Sequence, residues 1–272
     1  MTAARLHCEQ LAVDGASRRV AFTHGVYGSG ANWRSIARQV LARAPGWSAV
    51  LIDLRQHGRS DRGEPPHTLA ACTADVAALI AELDRAGPPV AAAVGHSFGG
   101  KVVLGLDVAR RVILDSTPSA RPGAWERDGN SVRAAWDSMA ALDRVWPRRE
   151  EFVAALVARG HAATLAGWLA MNLAPVDGGL RLRLDLPALR ELVVDYYEVD
   201  LWPRVDTAVT PITMIVAEHG DTVSPDDLRR LEHAPPTVTT HVIPGAGHWL
   251  NLDAPAAVVD HVVAALDQPA RA

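Results

Sequence analysis

Short apolar runs bounded by glycine, proline or charge recur along the chain. They alternate with longer segments in which apolar residues return every three or four positions. The short runs are Val20 to Thr23, Ala49 to Asp53, Val90 to Val94, Val112 to Asp115, Ile212 to Ala217 and Val238 to Ile243, and they read as strands. Trp33 to Ala44, Thr68 to Ala86, Pro225 to His233 and Pro255 to Asp267 carry helical spacing or helix boundaries. Strand and helix in strict alternation predict an α/β fold, a doubly wound and mostly parallel sheet, to which Leu6 to Val13 adds an antiparallel edge. Gln268 to Ala272 reads as a frayed tail.

The alternation breaks between Ser119 and about Val205, where helical segments dominate and no strong strand signal stands out. An insertion there would lie over the carboxyl ends of the strands, so it reads as a helical cap of residues 119–205 on a core of 1–118 and 206–272. Five of the eight tryptophans fall in it, Trp125, Trp136, Trp146, Trp168 and Trp202, together with Tyr196 and Tyr197. Any one of these can simply pack the cap. As a group, a subset facing the strand ends would make an apolar pocket.

The candidate chemistry sits where the run Val90 to Val94 meets Gly95-His96-Ser97-Phe98-Gly99. A strand that turns sharply into a helix places its serine at the tip of a strained turn, and the small residues two before and two after let strand and helix pass closely. Ser97 is thus a candidate nucleophile, and a serine hydroxyl needs a base and oxyanion donors. His248 follows a strand and two glycines, Gly245 and Gly247, and is the candidate base; His241 lies within the strand and reads as structural. Phe98 offers one oxyanion N–H by its position after Ser97. The loop His24-Gly25-Val26-Tyr27-Gly28-Ser29-Gly30 offers a second at Val26. A glycine-rich loop before a helix also suits phosphate, but neither a Gly-Lys-Ser/Thr ending nor Gly-x-Gly-x-x-Gly spacing is present.

These residues resemble the α/β-hydrolase superfamily, and in particular its branch of small esterases that cleave esters and acyl thioesters. The resemblance rests on His24-Gly25 with Gly28-Ser29 and Asn32-Trp33, on Asp53-Leu54-Arg55 with His57-Gly58 and Ser60, on Gly95 through Lys101, on Met171-Asn172-Leu173 with Asp177-Gly178, and on Gly245 through Trp249. It runs from about Val20 to about Leu266 and implies a catalytic triad acting through an acyl-enzyme on a small-molecule acyl substrate; the short, aromatic-rich cap, rather than the resemblance, favours small to medium acyl groups. Two departures stand out. The interval Lys101 to Arg111 leaves room only for a short helix after the elbow. The acid position in the loop after Ile212 to Ala217 falls on Gly220, with Asp221 one residue late. Asp221 is the first choice for the acid and Asp115 the rival, since some members take the acid from the strand after the nucleophile helix; Asp185 and an acid-free dyad remain open. The stretch Asp53 to Asp61 reads as architectural, its Asp and Arg pairing to brace the oxyanion strand.

The scaffold leaves alternatives open: an amide, lactone or carbon–carbon bond hydrolase on the same triad, or a silent ligand-binding receptor. A serine at position 97 excludes the aspartate-nucleophile hydrolases. A net charge of −4 and a single lysine, Lys101, give no field for nucleic acid. Cys8 and Cys72 lack metal or disulfide spacing, and no metal motif or cofactor loop is present, so neither metal nor cofactor is expected. No apolar leader or membrane-length run is seen in the sequence, and a cytoplasmic location is the default expectation. Oligomeric state is not legible.

Overall fold

The structure is a computed structural model and describes residues 3–268. Its strands are β1 (Cys8–Leu11), β2 (Arg18–Thr23), β3 (Trp47–Ile52), β4 (Val90–His96), β5 (Arg111–Leu114), β6 (Leu173–Val176), β7 (Gly179–Leu182), β8 (Ile212–Ala217) and β9 (Val238–Ile243). Seven of them form one sheet in the order β1-β3-β2-β4-β5-β8-β9, parallel except for β1, which runs antiparallel to β3.

Both faces of the central strands are buried, and side chains divide between them with period two. Val20, Phe22, Ala49, Leu51, Ala92, Val94, Val112 and Leu114 pack on one face with α1 (Arg34–Arg43) and a C-terminal helix, Pro255–Asp267. Ala21, Val50, Ile52, Ala93 and Ile113 face the other side, against α2 (Leu69–Ala86) and α3 (Phe98–Leu104). This explains why the runs read as continuously apolar. Thr68 starts α2, its side chain accepting from the Ala71 N–H. The helix α3 has seven residues, as the short interval before β5 demands.

Between β5 and β8 lie α4 (Ser131–Ala141), α5 (Arg149–Val157), α6 (Ala163–Leu169), α7 (Leu186–Glu198) and α8 (Trp202–Asp206). Their apolar residues merge with the α2 and α3 face of the sheet into one cluster. The segment also holds a hairpin that the sequence reading lacks: β6 and β7 pair antiparallel around Asp177-Gly178, where Gly178 takes φ +82°. Asp-Gly is a strong two-residue hairpin turn, but four-residue strands give too short a pattern to see. After β8 come α9 (Pro225–Leu231), α10 (Leu250–Asp253) and the C-terminal helix, α11. Arg110 holds Gln268 through its carbonyl at 3.0 Å, so the chain is anchored there; residues 269–272 of the expected tail lie outside the described residues. No described helix is long and apolar enough to cross a membrane.

Candidate active site

Ser97 stands between β4 and α3 with φ 53° and ψ −119°, a conformation that non-glycine residues rarely adopt. The surrounding backbone forces it. A Cβ on Gly95 would lie 2.3 Å from the Gly99 carbonyl oxygen, and one on Gly99 would lie 2.6 Å from that of His24. Strand, elbow and helix therefore pass at backbone contact, and the turn has no slack in which to relax. The Ser97 N–H is held by the Leu114 carbonyl at 2.9 Å.

The loop after β2 has spent its amides internally. The Tyr27 N–H donates to His57 Nε2 at 3.1 Å, Gly28 to the Gly25 carbonyl at 3.0 Å, Ser29 to Asn32 Oδ1 at 2.7 Å and Gly30 to Asp53 Oδ1 at 2.7 Å. A phosphate cradle would need those N–H groups free. Val26 is left facing the cavity beside Ser97. Phe98 opens α3, so its N–H has no intrahelical acceptor. Two histidines fix this geometry in neutral form. His24 Nε2 accepts from the Leu54 N–H at 3.0 Å while its Nδ1–H donates to the Gly25 carbonyl at 2.8 Å. His57 donates from Nδ1 to the Arg55 carbonyl at 2.8 Å. Burial depresses the basicity of both rings and takes His57 down to about 3.

The stretch Asp53 to Asp61 braces this loop, but not by the expected Asp–Arg pair. Asp53 accepts from the Gly30 and Arg59 N–H groups, whereas Arg55 is buried against Asp75 of α2, with contacts of 2.5 and 3.0 Å. Gly58 is required here, because at φ +55° a Cβ would sit 2.1 Å from Asp53 Oδ2.

His248 follows β9 in a loop pinned at several points. Glu218 accepts from the Gly245 N–H at 2.8 Å, the Ala246 carbonyl accepts from His219 at 2.9 Å, and Asp253 accepts from Gly247 at 3.0 Å. His96 Nε2–H donates to the His248 carbonyl at 2.8 Å and so ties the elbow to this loop. Burial holds His96 neutral, down to about 3.

The carboxylate against His248 is Asp115, not Asp221. Asp115 Oδ2 lies 2.6 Å from His248 Nδ1, and Oδ1 accepts from the Ala217 N–H at 3.0 Å. Asp115 is 1% exposed and takes φ +40° at the end of β5. The reason it reaches the imidazole lies at Gly220: a Cβ there would stand 2.8 and 2.9 Å from the two Asp115 carboxylate oxygens. The position that would otherwise carry the acid is empty of side chain, and the Asp115 carboxylate occupies that space. Asp221 lines the cavity but is exposed, with no hydrogen bond to His248 among the described residues. Asp185 caps α7 and pairs with Arg62, away from the imidazole. Thr222, which the sequence reading missed, places Oγ1 3.1 Å from His248 Nδ1. Only its position beside Asp221 could have signalled it.

Ser97, His248, Val26 and Phe98 border one cavity of about 340 Å³. Of the five tryptophans and two tyrosines between residues 119 and 205, Trp168, Tyr196 and Tyr197 line it, joined by Trp249. Trp125, Trp136, Trp146 and Trp202 instead pack the cap, the last three donating their indole N–H to Leu186, Leu142 and Ser119. Lys101 links α3 to the cap through Nζ, which donates to the carbonyls of Ser119, Tyr196 and Val199 at 2.9, 2.9 and 2.6 Å. His241 stacks on His261 of α11, consistent with a structural role.

A serine at such an elbow, on a mostly parallel sheet with an inserted segment above the strand ends, defines the class of α/β hydrolases. The chain belongs to the alpha/beta hydrolase family, whose model matches residues 20–261. It is 32% identical over 221 residues to the lipase LipV of Mycobacterium tuberculosis, covering 78% of this chain and 79% of that one. It is 27% identical over 263 residues to the sn-1-specific diacylglycerol lipase ABHD11 of Danio rerio, covering 92% and 78%. Among solved structures, a marine microorganism esterase superposes with a TM-score of 0.79 at 22% identity, covering 97% of this chain and all of that one.

Proposed function

We propose that the protein is a serine hydrolase of carboxylic esters or acyl thioesters with small to medium acyl groups. Ser97 Oγ attacks the carbonyl, and His248 takes its proton and returns it to the leaving group. Asp115 holds the imidazole tautomer and balances its charge, and the Val26 and Phe98 N–H groups receive the oxyanion. Water then cleaves the acyl-enzyme by the same proton path, with no metal or cofactor called upon. The observation that carries this reading is the Asp115–His248 contact of 2.6 Å at the edge of the cavity that Ser97 borders. Esterase and lipase relatives support it.

The direct test is labelling with a fluorophosphonate followed by mass spectrometry. One adduct is expected, on Ser97, and none in folded Ser97→Ala. An adduct on another serine, or ester turnover undiminished in that variant, overturns the assignment.

Cavity size sets the acyl range. About 340 Å³ is at the small end for ligand pockets. In a p-nitrophenyl ester series kcat/KM should rise by up to about fourfold per methylene while the chain still finds apolar wall, then level off before about twelve carbons. A rise that continues beyond that length counts against a closed acyl pocket.

A further inference from the structure

The cavity contains a charge that acyl transfer does not use. Besides His248, its charged lining consists of Arg121, Arg127, Asp128 and Asp221. Three of these are exposed, and only Arg121 is half-buried. Exposed charges are screened by water and salt, so among these four lining charges the guanidinium is the least screened.

Arg121 is held in place yet lacks a carboxylate partner among the described residues. Its backbone N–H donates to the Tyr197 carbonyl at 2.6 Å. Its guanidinium lies 5.1 Å from the Tyr197 ring centre and 6.0 Å from that of Tyr196, and Nη2 donates to the Tyr196 hydroxyl at 3.4 Å. Aromatic support of this kind fixes the plane of a guanidinium and leaves N–H groups available for a planar anion. Tyr196 in turn stands 5.5 Å from the ring of Phe98, the neighbour of Ser97. The cation is thus one aromatic ring away from the elbow. Lys101 Nζ lies 4.8 Å from the centre of the Tyr196 ring, but burial lowers its pKa to about 7 and its donors are taken by three carbonyls, so Arg121 is the cation left for a ligand.

We propose that Arg121 receives a carboxylate of the substrate, so that the preferred substrates of this site are small esters bearing a negative charge. The proposal rests on the acyl-transfer reading given above. Bidentate pairing with a carboxylate would satisfy a cation left without a carboxylate among the described residues, and it would orient the substrate carbonyl at the same time.

The test compares monoethyl glutarate with ethyl pentanoate, followed by proton release. Wild type should favour the charged ester in kcat/KM by at least about tenfold. The ratio should fall toward one in Arg121→Gln and be partly kept in Arg121→Lys, which retains charge but loses the planar fork. Equal use of the two esters by wild type overturns the proposal, as does an equal loss on both in Arg121→Gln. Calorimetric titration of Ser97→Ala with monoethyl glutarate separates the two readings. Binding that disappears when Arg121→Gln is added supports the anion site even if no ester is turned over, in which case only the hydrolase reading fails. Absence of binding overturns the anion site.

Discussion

Asp115→Asn is expected to lower kcat by about 10⁴-fold with little change in KM, while Asp221→Asn stays within about fivefold of wild type. Asparagine keeps an oxygen for the Ala217 N–H that Asp115 now satisfies, so the fold should tolerate it. Its amide nitrogen, however, would oppose the His248 Nδ1–H. The imidazole then turns to the wrong tautomer and loses the charge that stabilises its protonated form. Asp221 is exposed and acts on the imidazole only through solvent. Steady-state kinetics of the two variants decide the matter. A crippling loss in Asp221→Asn with Asp115→Asn nearly silent would mean that the 2.6 Å contact is not the working one. Mild and equal losses would favour a dyad held by Thr222.

Acidification should destabilise the protein well above the range in which carboxylates titrate. His24, His57 and His96 are buried and neutral, each with one ring nitrogen committed as a donor, and burial takes His57 and His96 down to about 3. In the unfolded chain a histidine titrates near pH 6.5. Between pH 6.5 and about 3 the unfolded state therefore binds more protons than the native one, and stability falls as pH falls. By pH 5 each of these two rings costs about 2 kcal/mol, against a total stability of about 5–15 kcal/mol. Burial also lowers His24, which acts in the same direction. Glu9 and Asp227, held below the usual carboxylate range by their hydrogen-bond partners, contribute only at lower pH. Urea unfolding at pH 7.5 and pH 5.0 should show a clear drop in midpoint. A midpoint constant across that window would mean that these rings are not buried as neutral groups.

The sheet was legible because its central strands are apolar on two faces and bounded by a clear break. Ile212–Ala217 and Val238–Ile243 match to the residue, and Pro255 sets the start of α11. Ser97 and His248 could be placed on one cavity because each follows a strand of the parallel sheet in a glycine-containing turn, so both fall at the carboxyl edge of that sheet. The acid could not be settled, because that choice depends on which of two adjacent parallel strands presents a carboxylate to a third loop. Asp115 looks like any turn former before Ser116-Thr117-Pro118, and nothing local reveals that Gly220 has cleared its way. The partners of Asp53 and Arg55 were hidden for a similar reason. Each reaches a residue far away in sequence, on the Gly30 loop and on α2, whereas local reading joined the two nearest charges.

The space shared by Asp115 and Gly220 also constrains how such a site changes over time. With a Cβ at 220 only 2.8 and 2.9 Å from the carboxylate oxygens, the seat beside the imidazole admits a single occupant. A lineage moving its acid from one strand to the next cannot keep both as a safeguard, since two carboxylates there would collide as well as repel. It must shed the older side chain before or together with gaining the newer. During that passage the Thr222 hydroxyl at 3.1 Å would be the remaining polar partner for the His248 Nδ1–H. A side chain introduced at 220 is therefore expected to be tolerated in this chain only when the Asp115 carboxylate gives up its place.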